Sequence, residues 1–256
     1  MNKPEENTLA EKYSVIEEKF ELTKNDGKVI RGVIYRPDGD GAFKTVIFSH
    51  GFNSCYKNLM GHGKFYAESG IAIIYYDFCG GGMETVSDGS MLDMTLMTEA
   101  DDLKNMMDYT LGLPFVDKDQ LYLQGESQGG LISSIVAVDR KDEIKGLVLW
   151  YPAFVIPDDS KKRIEEGATD VFGIKLSPNY DKVAISVDIT ELWKGFDKPV
   201  LIVHGDKDGI APIDYSRRAI ETYADAELVE IIGSDHGFNE EDSITARDES
   251  IDFILR

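Results

Sequence analysis

The pentapeptide Gly125-Glu126-Ser127-Gln128-Gly129 limits the folds open to this chain more than any other feature. It follows the apolar run Leu121-Tyr122-Leu123 and precedes a stretch, Gly130 to Arg140, that reads as helix. A G-x-S-x-G between a strand and a helix is the pattern of a nucleophile elbow, a sharp turn that lifts a serine hydroxyl above a sheet. Strand and helix backbones crowd together at such a turn, so the positions two residues on either side of the serine must be small. The same pentapeptide in other surroundings would carry little weight.

The rest of the chain supplies the sheet that such a turn requires. Apolar alternations at Glu18 to Thr23 and Val29 to Arg36 flank Asn25-Asp26-Gly27, which predicts a hairpin. Thr45 to Phe48 is a continuous apolar run, suited to a strand buried on both faces of a parallel sheet. Helical and extended segments then alternate. A helix near Leu59 to Glu68 precedes a strand at Ile71 to Tyr76. A helix from Thr95 or Thr98 to Leu111 precedes a strand at Gln120 to Gln124. After the elbow helix come strands at Gly146 to Trp150, Pro199 to His204 and Leu228 to Ile232, with helices at Ile213 to Ala224 and Ser243 to Leu255. This is a βα alternation with an antiparallel start: an α/β fold on an eight-stranded, mostly parallel sheet flanked by helices. One domain, 1–256, is expected, behind a polar leader at residues 1 to 12.

One segment breaks the alternation. Between Trp150 and Pro199 no strand is evident, yet Phe154, Ile156, Phe172, Ile174, Leu192 and Trp193 make the stretch too apolar for a linker. Residues 153–194 therefore read as a lid inserted after the sixth strand, covering the carboxyl edge of the sheet where open α/β folds bind ligands.

Composition narrows the partners. With 27 basic against 47 acidic residues the chain carries a net charge of −20, which argues against nucleic acid and against an anionic membrane surface. Two cysteines, Cys55 and Cys79, make no disulfide framework and suit a reducing, cytoplasmic setting. No stretch approaches the length of a membrane span. No His/Cys cluster has metal-ligand spacing, so no metal is expected. Gly80-Gly81-Gly82 lacks the spacing of a dinucleotide loop and reads as a tight turn beside the site.

A serine needs a base, and the base needs an orienting acid. Four histidines are present, at 50, 62, 204 and 236, and only the last two follow Ser127. His204 ends a buried strand and reads as structural. His236, in the loop Gly233-Ser234-Asp235-His236-Gly237-Phe238, can swing over the sheet edge and is the expected base. In His204-Gly205-Asp206-Lys207-Asp208-Gly209 the acid is expected at Asp208, at the loop tip. Asp206 is expected to shape the loop through an Asx turn, and Asp235 to be a turn residue. An oxyanion would be met by the backbone N–H groups of Gln128 and of Phe52, in His50-Gly51-Phe52-Asn53-Ser54, with His50 supporting that loop.

Taken together, His50-Gly51-Phe52, Gly125 to Gly130, His204-Gly205-Asp206-x-Asp208 and Asp235-His236 resemble the α/β-hydrolase superfamily, from about residue 15 onward. Within it the chain is similar to small bacterial cinnamoyl (feruloyl) esterases. That resemblance implies an α/β-hydrolase fold, hydrolysis of a small-molecule carboxylic ester through an acyl-enzyme, and no cofactor. In that subfamily the insertion grips the phenolic end of the substrate, and Asp158, Asp159 and Tyr180 fall near the corresponding places. Glu126 departs from the histidine often found there, and the Gly80-Gly81-Gly82 loop from a side chain between glycines. A peptidase or amidase, a thioesterase and a non-catalytic ligand sensor of the same fold are the rival readings. Oligomeric state is not legible, which leaves a homodimer open.

Overall fold

The computed structural model describes residues 12–256, and all but the last residue of the polar leader lies outside them. Strands β1 (Val15–Thr23) and β2 (Val29–Pro37) form the expected antiparallel hairpin. After β3 (Phe43–Ser49) come two short helices, α1 (Tyr56–Leu59) and α2 (Gly63–Glu68), parted by a 3-10 turn at Met60–His62. The sequence reads this as one helix. Gly63, the first residue of α2, keeps a helical backbone, and a side chain there would strike the Tyr35 ring at 2.3 Å.

The core then builds through β4 (Ile71–Tyr76), α3 (Leu96–Leu111), β5 (Val116–Glu126), α4 (Ser127–Asp139) and β6 (Gly146–Trp150). The helix α3 begins at a reciprocal cap: the Thr95 hydroxyl accepts from the Thr98 N–H, and the Thr95 N–H donates to the Thr98 hydroxyl. Residues 153–194 hold α5 (Ile156–Glu166), a hairpin of β7 (Asp170–Val171) and β8 (Ile174–Lys175), α6 (Pro178–Ala184) and α7 (Ile189–Gly195). That hairpin is a correction to the sequence reading, which finds no strand there. Its turn, Phe172-Gly173, puts a phenylalanine at φ +51°, a position where turn-forming residues are the usual signal. The chain closes with β9 (Val200–Gly205), α8 (Asp214–Ile220), β10 (Ala226–Ile231) and α9 (Glu240–Leu255).

The main sheet has eight strands in the order β1-β2-β4-β3-β5-β6-β9-β10, parallel from β4 onward. Alternate residues of each strand feed the two faces. On one face Ile47, Ile74, Leu123 and Leu149 meet α3, α4, α7 and α8. On the other, Phe48, Ile73, Tyr75 and Trp150 meet α1, α2 and α9. All six residues of β4 are fully buried, as a two-faced sheet demands. Each buried Ile or Leu contributes about 1.5–3 kcal/mol relative to an exposed one. Parallel strands send all their carboxyl ends to one rim, and the loops after β3, β4, β5, β6, β9 and β10 open there together. Among the described residues no helix is long and apolar enough to cross a membrane.

Candidate active site

The rim is where the backbone is strained. Among the described residues, five that are not glycine have positive φ: Asn53, Ser127, Tyr151, Phe172 and Phe238. Four sit in the loops after β3, β5, β6 and β10, and the fifth in the β7–β8 turn above them. Strain of this kind persists only where surrounding structure holds it, and it gathers at functional sites.

Ser127 occupies the turn from β5 into α4 at φ +48°. A side chain on Gly125 would strike the Gly129 carbonyl oxygen at 2.3 Å, and one on Gly129 would strike the Ser49 oxygen at 2.3 Å. Both glycines are thus required by backbone crowding, as the sequence pattern implies. Gln128 is the first residue beyond the serine in α4, where backbone N–H groups have no partner inside the helix and favour negative charge.

Ser127 Oγ lies 3.0 Å from His236 Nε2, and His236 Nδ1 lies 2.7 Å from Asp208 Oδ2. The carboxylate fixes the tautomer: Nδ1–H donates to Asp208, leaving Nε2 to accept the Ser127 hydroxyl proton. Asp208 is more deeply enclosed than a loop-tip residue should be. Its Oδ1 accepts from the N–H groups of Ile210 and Ala211, at 2.9 and 2.7 Å. Its Oδ2 also accepts from His204 Nε2, at 3.1 Å. Burial opposes its ionisation, but hydrogen bonds from His204 and His236 overcome that cost and hold the carboxyl well below the usual range.

The other rim aspartates do structural work. Asp206 accepts the Gly233 N–H at 2.5 Å, stitching the β9 loop to the β10 loop rather than closing a local Asx turn. Asp235 accepts its neighbour's N–H, that of His236, and the Gly209 N–H. His50 is fully enclosed, and burial lowers its pKa; Nδ1–H donates to the Gly51 carbonyl and Nε2 accepts from Phe78 N–H. That leaves it a neutral brace for the Gly51-Phe52 loop. The same loop rests on Gly80-Gly81-Gly82, where a side chain on Gly82 would meet the Ser54 carbonyl oxygen at 2.5 Å. A side chain on Gly51 would come within 3.2 Å of Ser127 Cβ, so the Phe52 segment passes directly beside the serine.

A narrow cavity of about 50 Å³ opens next to Ser127 between Phe52, Gln128, Ile156, Asp159, Arg163, Phe172, Tyr180 and Ile210. Of the three insertion residues singled out in the sequence, Asp159 and Tyr180 line it and Asp158 does not. Asp158 instead accepts the Tyr215 hydroxyl at 2.5 Å. Burial raises the Asp159 pKa against the pull of Arg163 and Lys162. The Tyr180 hydroxyl is committed: it donates to Gln128 Oε1 at 2.6 Å, so Tyr180 presents its ring to the cavity. A larger groove, about 290 Å³, lies at the opposite edge between Tyr122, Pro199, Asp225 and Arg256, far from Ser127. Among the described residues no cluster of His, Cys, Asp and Glu could hold a metal ion.

Four residues make contacts that the sequence reading does not assign to them. His204 bridges Ser216, Ala211 and Asp208, which its place four residues before Asp208 could have suggested. Glu99 lies buried on the apolar Leu96-Ala100-Leu103 stripe, itself a signal, and accepts from Gln128 Nε2 at 2.7 Å. Burial pushes its carboxyl up to about 8, partly offset by the Gln128 hydrogen bond and reinforced by repulsion from Asp102. Glu126 and Tyr151 pair with each other beside the serine, at 2.6 Å. No local sequence pattern announces that pairing, because it joins two different strand ends.

Comparison with known proteins supports the fold that carries this site. Residues 41–179, more than half of the chain, match the family model described as serine aminopeptidase, S33. The structure of Est1E from Butyrivibrio proteoclasticus with ferulic acid bound is similar over 91% of this chain and 97% of that one, at 27% identity and a TM-score of 0.79. An esterase, EaEST, from Exiguobacterium antarcticum shares the fold at 16% identity and a TM-score of 0.70, covering 92% of this chain and 99% of that one. Among curated proteins, a non-heme chloroperoxidase, CPO-A1, of Kitasatospora aureofaciens is 47% identical over 51 residues, 20% of this chain and only 18% of that protein.

Proposed function

Because this chain belongs to the serine aminopeptidase S33 family of α/β hydrolases, we propose that it is a serine esterase cleaving small carboxylic esters through an acyl-enzyme. The observation that carries the reading is the unbroken chain of contacts from Ser127 Oγ through His236 to Asp208, with Ser127 held in a strained elbow.

In this mechanism His236 Nε2 takes the Ser127 proton as Oγ attacks the ester carbonyl. Asp208 keeps the imidazole in the productive tautomer and stabilises its positive charge. Charge developing on the carbonyl oxygen is met by the backbone N–H groups of Phe52 and Gln128. Imidazolium then protonates the departing alcohol. Water, deprotonated by the same imidazole, attacks the acyl-enzyme and restores Ser127.

Residues 153–194 act in this reading as a lid on a single hydrolase domain, and cavity size limits the acyl group. About 50 Å³ accommodates a few water-sized groups, whereas sites for drug-sized ligands run to about 300–1,000 Å³. Short acyl groups fit as the site stands. A hydroxycinnamoyl group, of the kind suggested by the ferulic acid bound to Est1E, requires the Phe172 turn to lift, and Asp159 and Arg163 are the charged groups lining the cavity it would enter. Two buried free thiols, Cys55 and Cys79, favour a reducing, cytoplasmic setting.

The family's aminopeptidase description makes amide cleavage the rival activity. A panel of short-acyl esters, methyl hydroxycinnamates and aminoacyl arylamides, compared by kcat/KM, separates the two. The expected order places short-acyl and aromatic esters at least about 100-fold above the arylamides. Preference for the arylamides overturns the esterase reading.

A further inference from the structure

We propose that Glu126 is a positioning residue that locks the oxyanion loop and the imidazole against the nucleophile, an inference that deepens the esterase reading and rests on it. Glu126 is the last residue of β5, immediately before Ser127, and both its carboxylate oxygens are committed to other loops. Oε1 accepts the backbone N–H of Gly51 at 3.1 Å, fixing the residue that precedes Phe52. Oε2 accepts the Tyr151 hydroxyl at 2.6 Å. The Tyr151 ring in turn meets the His236 ring edge-on, 4.8 Å between centroids, and the Phe238 ring at 4.6 Å. One side chain therefore ties together the loops after β3, β5 and β6, and reaches the His236 loop through an aromatic contact.

Electrostatics makes the arrangement informative. A carboxylate beside a forming oxyanion repels it, so a charge at this position is unfavourable for the chemistry taken alone. The hydrogen bonds it accepts from the Gly51 N–H and the Tyr151 hydroxyl partly offset that charge and turn the side chain into a clamp. Tyr151 and Asn53, on the two clamped loops, both hold positive φ. Strained residues of this kind relax when the contacts that over-determine them are removed. Glu126 acts through Gly51 and Tyr151 rather than on the substrate.

The test compares Glu126→Ala, Glu126→Gln and Tyr151→Phe in the full chain, with kcat and KM on a short-acyl ester and Ki for a trifluoromethyl ketone, whose adduct with Ser127 carries an oxyanion. Removing an oxyanion donor outright costs about 10²–10³ in rate, so misplacing one predicts a loss of about 10- to 100-fold in kcat for Glu126→Ala. KM should stay within about twofold, while Ki weakens by the same factor as kcat. Glutamine can still accept from Gly51 and donate to the Tyr151 oxygen, so Glu126→Gln should recover to within about threefold of the parent. Tyr151→Phe should fall between the two.

Full kcat in Glu126→Ala, a rise in KM equal to the loss in kcat, or a Glu126→Gln as impaired as the alanine variant each overturns the proposal. Amide hydrogen exchange of residues 51–54 gives a readout that does not depend on turnover. Exchange there should accelerate in Glu126→Ala and stay at the parental rate in Glu126→Gln; unchanged exchange in the alanine variant refutes the clamp. A parent chain inert to every ester defeats the esterase reading instead, while the exchange result still decides the clamp.

Discussion

The rim loops and the insertion at 153–194 border the same cavity but are governed by different constraints. At the rim, side-chain identity is dictated at each step. Ser127 must sit in a crowded turn, His236 must reach it, and Asp208 must collect four hydrogen bonds to stay ionised while enclosed. In the insertion, α5 carries Asp158 and Asp159 side by side, and successive residues on a helix point about 100° apart. One faces the cavity and the other meets Tyr215. In the proposed reading, rim geometry sets the reaction and the 153–194 segment tunes what is admitted to it.

Substitutions should reproduce that division, with large effects on turnover at the rim and small, substrate-dependent ones in the insertion. Ser127→Ala should lower ester kcat by about 10⁴–10⁶ without altering the circular-dichroism spectrum; residual turnover above a few per cent breaks the comparison at its strongest point. Asp208→Asn should cost about 10³–10⁴ in kcat, since the amide can present an N–H to the imidazole and favour the wrong tautomer.

The same Asp208 variant carries a pH signature. A carboxyl held below its ordinary pKa of about 3.9 stabilises the fold above that value and loses the contribution as pH falls towards its folded pKa. Acid unfolding of Asp208→Asn should accordingly be shallower than that of the parent, as followed by Tm between pH 5 and pH 2.

Glu99 gives the opposite sign. Its folded pKa is raised to about 8, so its contribution is fully present below its ordinary value and is lost as pH rises through about 8. Glu99→Gln should gain Tm relative to the parent at pH 8.5 compared with pH 5. An equal difference at both pH values contradicts the buried, neutral carboxyl.

The smallest expected effect lies in the insertion. Tyr180→Phe removes the hydroxyl that donates to Gln128 Oε1, which should lower kcat/KM about two- to fivefold, the order of one neutral hydrogen bond. The loss should be larger for aromatic than for acetyl esters. A thousandfold loss on every ester would place Tyr180 with the rim.

Much of this division can be seen in the primary structure. The elbow glycines are demanded by backbone contacts, and the order serine, aspartate, histidine follows the parallel strands, so both the sheet and its rim residues could be read directly. Clamps that join separate strand ends could not. Glu126 to Gly51 spans 75 positions and Glu126 to Tyr151 spans 25, and nothing local in the chain encodes either. The β7–β8 hairpin escaped because Phe172 adopts a left-handed backbone that bulky residues avoid. The requirement for glycine at 63 escaped too, since it comes from a tyrosine ring on a distant strand.

The most direct test of Ser127 as an activated nucleophile is reaction of the native protein with a fluorophosphonate, followed by mass mapping of the adduct. One phosphonyl group per chain, on the peptide containing Ser127 and absent from Ser127→Ala, is the predicted result. A folded protein that stays unlabelled, or is labelled at another serine, contradicts the account.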